Sequence, residues 1–80
     1  MTDNLQRLRA IFREVFGDPA MRVSEGDSPA TIPDWDSVAT VRLVLAAEAE
    51  FGIRFTTDEV AAFRTVGDIL GAIASRNAGG

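Results

Sequence analysis

No cysteine occurs in these 80 residues, so nothing covalent can hold so short a chain together and its fold must rest on packing alone. The length favours one domain spanning residues 1–80. Hydrophobic residues make up 46% of the chain, enough for one modest core and far above what a disordered chain carries. Such a core yields only about 3–5 kcal/mol, so marginal stability is expected. Histidine is missing as well. Zinc sites built on Cys or His, nucleophilic triads and Cys–His pairs are thereby excluded. The residue set predicts neither a catalytic centre nor a metal site.

Eight basic residues against twelve acidic ones give a net charge of −4. That sign argues against nucleic acid as a partner, which would demand a basic stripe. It suits a soluble protein whose partners present basic patches. All eight basic residues are arginine, a bias of composition more than a motif. Met1-Thr2-Asp3-Asn4 lacks the basic and apolar regions of a signal peptide. No apolar run approaches the ~18 residues of a membrane span. The expectation is a cytoplasmic monomer.

Apolar periodicity then divides the chain. Over residues 3–16, Leu5, Leu8, Phe12 and Val15 recur at steps of three and four, with Ile11 and Phe16 widening the stripe. Thr2 is the candidate cap and Gly17 the stop, while Arg7, Arg9 and Arg13 fall on the side expected to face water. Residues 17–36 hold all three prolines and show no period. A connection that long in a domain this small is often functional, although Met21, Val23 and Ile32 could lay apolar side chains across the core. A second helix fits 37–51, capped by Asp36 or Ser37 and ended at Phe51-Gly52. A short third fits 57–62 with Thr57 as cap. A fourth runs from 66 to about 76, with Thr65 and Asp68 in a capping-box arrangement and Val66, Ile69, Leu70 and Ile73 as its stripe. Residues 77–80 read as a flexible tail. The fold class is all-α: a small four-helix bundle with three main helices, a short third one, and a long loop between the first two.

The second helix has two apolar faces. At 100° per residue, Thr40, Leu43, Val44, Ala47 and Phe51 share one side, and Val38, Val41, Leu45 and Ala49 share the other, rimmed by Arg42 and Glu48. A central helix buried on both sides is hard to build from 80 residues. The alternative is a core face plus a partner-docking face, formed by Val38, Val41 and Leu45 with Arg42 and Glu48. Ser37 stands where this helix begins. A helix N-terminus offers free N–H groups and a positive dipole end, so a phosphate attached there is stabilised. Taken alone, Asp36-Ser37 is more often a plain cap.

The surroundings of that serine resemble the acyl carrier protein family. Asp36-Ser37-Val38 is followed by an apolar helix ending in Glu50-Phe51-Gly52-Ile53. The Thr57-Asp58-Glu59-Val60 helix and the closing Thr65-Val66-Gly67-Asp68-Ile69-Leu70 helix follow in the expected order. The resemblance spans about residues 3–76. It implies a bundle that catalyses nothing and receives 4′-phosphopantetheine on Ser37, with Asp36 as the motif neighbour. It also implies a phosphopantetheinyl transferase that uses coenzyme A and Mg²⁺, an acyl- or aminoacyl-loading ligase or transferase, and downstream enzymes of fatty-acid, polyketide or peptide biosynthesis. The missing cysteine then makes sense, because the thiol comes with the arm. The family often has Gly where Asp34 stands and Leu where Val38 stands. Two positions often acidic in fatty-acid carriers are Ala39 and Arg42 here, so docking should be more apolar than in those carriers. The small Ala46, Ala47 and Ala49 point to a short or polar cargo.

Two other readings compete with this one. An unmodified helical adaptor would bind partners through the same Val38/Val41/Leu45 face but would gain nothing from an accessible serine. The terminal Gly79-Gly80 resembles ubiquitin-like sulfur carriers, yet those are β-grasp domains and this chain shows no strand alternation.

Overall fold

The computed structural model describes the backbone of residues 2–79 and the side chains of residues 4–76. Four helices follow one another: α1 (Thr2–Phe16), α2 (Ser37–Phe51), α3 (Thr57–Ala62) and α4 (Val66–Gly79), with no strand among the described residues. The expected all-α architecture holds, with α1 packed against α2 and α4. The core gathers the predicted stripes. Leu8 and Phe12 from α1, Leu43 and Ala47 from α2, and Val66, Ile69 and Ile73 from α4 are buried in one cluster. Their periodicity is what lets three helices turn an apolar edge to one axis.

Gly17 and Gly52, both at φ 65°, stop α1 and α2 in the left-handed conformation that costs glycine nothing. After α1 the Asp18 N–H donates to the Arg13 carbonyl at 3.0 Å; after α2 the Ile53 N–H donates to the Glu48 carbonyl at 3.1 Å. These bonds satisfy carbonyls that the helix leaves open. The Thr2 cap lies outside the described side chains. At the other end, α4 continues to Gly79 instead of stopping near 76, so the expected tail at 77–80 is helical backbone as far as described. With no proline to stop it, each further residue adds a hydrogen bond for little cost.

The long loop is pinned, not slack. Val23 and Ile32 are buried in the core and Met21 packs against it. The Asp27 carboxylate accepts the Ser24 N–H at 2.7 Å and the Thr31 hydroxyl at 2.9 Å. Loop carbonyls also receive the first N–H groups of α4: Val66 donates to Asp27 at 2.9 Å and Gly67 to Glu25 at 2.8 Å. A Cβ at position 67 would stand 3.2 Å from that Glu25 oxygen, which explains glycine there. Two arginines expected in water are instead half-buried fasteners. Arg9 Nε donates to the Val23 carbonyl at 2.7 Å and Arg13 Nε to the Met21 carbonyl at 3.0 Å. The long arginine stem reaches past the helix edge to carbonyls that irregular backbone would otherwise leave without partners. Arg7 stays exposed, pairing with Glu50 at 2.9 Å and lying over the Phe51 ring.

Helix α3 is held differently, since none of its residues is buried. Its cap is Thr56, not Thr57. The Glu59 N–H donates to the Thr56 hydroxyl at 3.1 Å and the Thr56 N–H to the Glu59 carboxylate at 2.8 Å. The spacing Thr56-x-x-Glu59 is the capping-box signature, and only Thr56 places Glu59 at the third helical position. Arg76 of α4 donates to the Arg54 carbonyl at 2.6 Å and pairs with Glu59. Phe55 and Phe63 meet edge to face at 5.2 Å beneath it.

Candidate functional site

Ser37 is the first residue of α2, and the cap is its neighbour. The Asp36 carboxylate accepts the Ala39 N–H at 2.9 Å, while the Asp36 carbonyl accepts the Thr40 N–H at 2.9 Å. The capping side chain is thus supplied by the residue before the serine. Ser37 itself is exposed, and its hydroxyl makes no hydrogen bond within the protein among the described residues. The N–H groups of Ser37 and Val38 lie in the first turn, where no intrahelical acceptor exists. No acidic side chain occupies that turn. An anion on the Ser37 oxygen would therefore meet the positive end of the helix, where Asp36 is the one carboxylate bonded to the first-turn N–H groups among the described residues.

The segment leading to Ser37 is anchored on the opposite side. Trp35 is 4% exposed and stands edge to face with Phe12 of α1 at 5.4 Å. Its indole N–H donates to the Thr40 hydroxyl at 2.8 Å, and that hydroxyl donates to the Asp36 carbonyl at 3.1 Å. Trp35 thereby packs the end of the loop against α1 and α2. Burial of a large aromatic with a satisfied N–H fixes backbone strongly. Ser37 is accessible while the two residues before it, Trp35 and Asp36, are tied down.

Beyond Ser37 runs a continuous apolar strip. Val38, Val41 and Leu45 are 60%, 54% and 60% exposed, and Ser37 lies one helical turn from Val41. Arg42 is exposed at one margin. Glu48, at the other, is half-buried, and its carboxylate accepts the Phe55 N–H at 2.8 Å. It therefore also fastens the α2–α3 connection, a contact seven residues away that no local pattern announced. Ala39, read from sequence beside Arg42 as a site of lost acidity, is buried in the core. Only Arg42 of that pair alters the exposed surface.

Known proteins share the sequence pattern and the fold of this chain. A family model described as phosphopantetheine attachment site matches residues 6–73. An acyl carrier protein of Acidothermus cellulolyticus is 41% identical over 71 residues, 89% of this chain and 84% of that protein. The acyl carrier protein AcpP of Rhizobium meliloti is 39% identical over 70 residues, 88% and 90% of the two chains. Among solved structures, the solution structure of a holo acyl carrier protein from Geobacter metallireducens has a TM-score of 0.86 at 29% identity. That match covers 94% of this chain and 86% of the other.

Proposed function

The chain belongs to the acyl carrier protein family, and from that premise we propose that Ser37 is the residue that receives the 4′-phosphopantetheine arm. As a family member it carries biosynthetic intermediates on phosphopantetheine and is a carrier, not a catalyst. The arm supplies a terminal thiol on which cargo rides as a thioester. The protein's own contribution is to hold one hydroxyl at the positive end of α2, free of capping duty, where a phosphodiester is stabilised. That exposed Ser37 hydroxyl beside a separate cap, Asp36, is the observation that carries the assignment. An unmodified adaptor would have no use for it.

The test is direct. Apo protein incubated with coenzyme A, Mg²⁺ and a broad-specificity phosphopantetheinyl transferase should gain one phosphopantetheine by intact mass. Ser37→Ala should stay unmodified while remaining helical. Modification that persists in this variant sinks the assignment.

Partner enzymes, among them the transferase and a loading ligase, are proposed to dock on the Val38, Val41 and Leu45 strip with Arg42 and Glu48 at its margins. No helix is long and apolar enough to cross a membrane among the described residues, and the carrier is proposed to act as a cytoplasmic monomer. Its cargo is proposed to be short or polar. In support, Ala47 is fully buried where α2 meets the core, and Leu43, Ile69 and Ile73 already fill that space. Loading acyl chains of increasing length tests this. Stability that climbs steadily with chain length would mean the interior does take in a long tail.

A further inference from the structure

A cleft of about 330 Å³ between α1 and the long loop is lined by Arg9, Arg13, Arg22, Val23 and Ser24. None of these residues belongs to α2. We propose that this cleft binds a phosphate dianion. The proposal is independent of the role of Ser37. Arg9 and Arg13 are already positioned, because the Nε of each is spent on a loop carbonyl, Val23 at 2.7 Å and Met21 at 3.0 Å. Their terminal nitrogens remain as unused donors among the described residues. Arg22 sits between those two carbonyls in sequence, exposed and in no ion pair among the described residues.

Three arginines thus line one cleft with no Asp or Glu among its lining residues, in a chain whose net charge is −4. Glu25, next to Ser24 in the loop, is exposed and is not among the lining residues, and two other loop acids are hydrogen-bonded within the loop. Asp18 accepts the Ala20 N–H at 3.1 Å, and Asp27 accepts Ser24 N–H and Thr31 hydroxyl. Like charges gathered without a counter-ion repel, and an external anion relieves that repulsion. The number of donors selects the anion. One guanidinium fork engages both oxygens of a carboxylate and balances its single charge. The terminal oxygens and double charge of a phosphate can engage several.

Titration of ¹⁵N-labelled apo protein with inorganic phosphate or acetate, at constant ionic strength near pH 7.5, decides it. Phosphate should give saturable shifts centred on the Arg9, Arg13 and Arg22 side chains and the Ser24 amide, with affinity at least about tenfold above acetate. Arg22→Gln removes no intramolecular bond, so it should keep the fold and weaken phosphate by about fivefold or more. Arg64→Gln, outside the cleft, should change nothing. Vesicles of phosphatidic acid against phosphatidylcholine separate the sources. Pelleting with the former alone means a lipid headgroup, and phosphate binding without pelleting means a soluble phosphoester. The proposal is overturned by shifts that never saturate, by equal affinity for acetate, which would indicate acidic protein surface instead, or by an unaltered response in Arg22→Gln.

Discussion

Leu43 and Leu45 stand two residues apart on α2, yet Leu43 is 1% exposed and Leu45 60%. Residue type cannot account for the difference. Two residues are 200° of helical turn, and the turn decides which neighbours each leucine meets. Leu43 falls into the cluster containing Leu8, Phe12, Ile69 and Ile73. Leu45 shares its side with Val38 and Val41, which nothing in the chain covers among the described residues. The comparison teaches that α2 is both a structural element and a presented surface. Its buried side holds Ser37 in place for whatever meets the other.

The largest effect should come from the core leucine. Leu43→Ala is expected to cost about 2–5 kcal/mol, by lost burial and the cavity left behind. That approaches the whole reserve of a domain this small. Leu45→Ala should change stability by less than about 0.5 kcal/mol, as surface substitutions usually do. Denaturant midpoints measure both, and equal losses would mean the two faces are not distinct.

The outer face should matter in transfer instead. Burying a leucine is worth about 1.5–3 kcal/mol, so Leu45→Glu should slow modification by the transferase at least about tenfold while leaving Tm nearly unchanged. Glu48→Gln should do less, and its effect should shrink with salt. Unfolding of Leu45→Glu, with normal reaction of the surviving folded fraction, would assign this face to the core.

How much of this was legible in sequence follows the range of the interactions. Helix positions, the two-sided character of α2 and the Thr65/Asp68 cap rest on spacings of three and four, which the sequence displays directly. Ser37 stands out in the sequence only through the resemblance to the acyl carrier protein family, because Asp36-Ser37 by itself reads as a plain cap. What stayed hidden is contact across long separations. Arg9 and Arg13 look solvated on a helical wheel, and only the folded loop brings the Met21 and Val23 carbonyls beneath them. The same holds for Glu48 with Phe55 and Arg76 with Arg54. The choice of Thr57 over Thr56 is different, because the capping-box spacing from Glu59 was available to correct it.

A smaller effect sharpens the division of labour at the start of α2. Because Asp36 supplies the cap, Asp36→Ala should cost about 0.5–2 kcal/mol. Ser37→Ala, at an exposed first-turn position, should cost less than about 0.5 kcal/mol while abolishing modification. Thermal melts of the two apo variants check this. A Ser37→Ala loss as large as that of Asp36→Ala would mean the hydroxyl shares the capping, and an oxygen committed to the helix would be a poorer attachment point.

The smallest effect contrasts α2 with α3, which is anchored by polar groups instead of burial. The Glu59 carboxyl is held below its usual range chiefly by the Thr56 N–H, with Arg76 adding to it. Asp68 is held low chiefly by the Arg64 N–H, then by Thr65. For a carboxyl depressed in the folded state, protonation favours unfolding. The stability each contributes is present above the ordinary carboxylate range, about pH 4, and is lost as pH falls through the lower folded-state value. Asp68 is exposed and Glu59 only half-buried, so the effect is modest and salt-sensitive. Acidification should first weaken the cap of α3 and the Arg76 tie, while Leu43 and Ala47 keep α2 in the core. Amide exchange should therefore speed up in α3 before it does in the buried turns of α2. Glu59→Gln should flatten that early acid response without altering the later one. Loss of protection in α3 and α2 at one common pH would show that the polar clamp and the buried face open as a single unit.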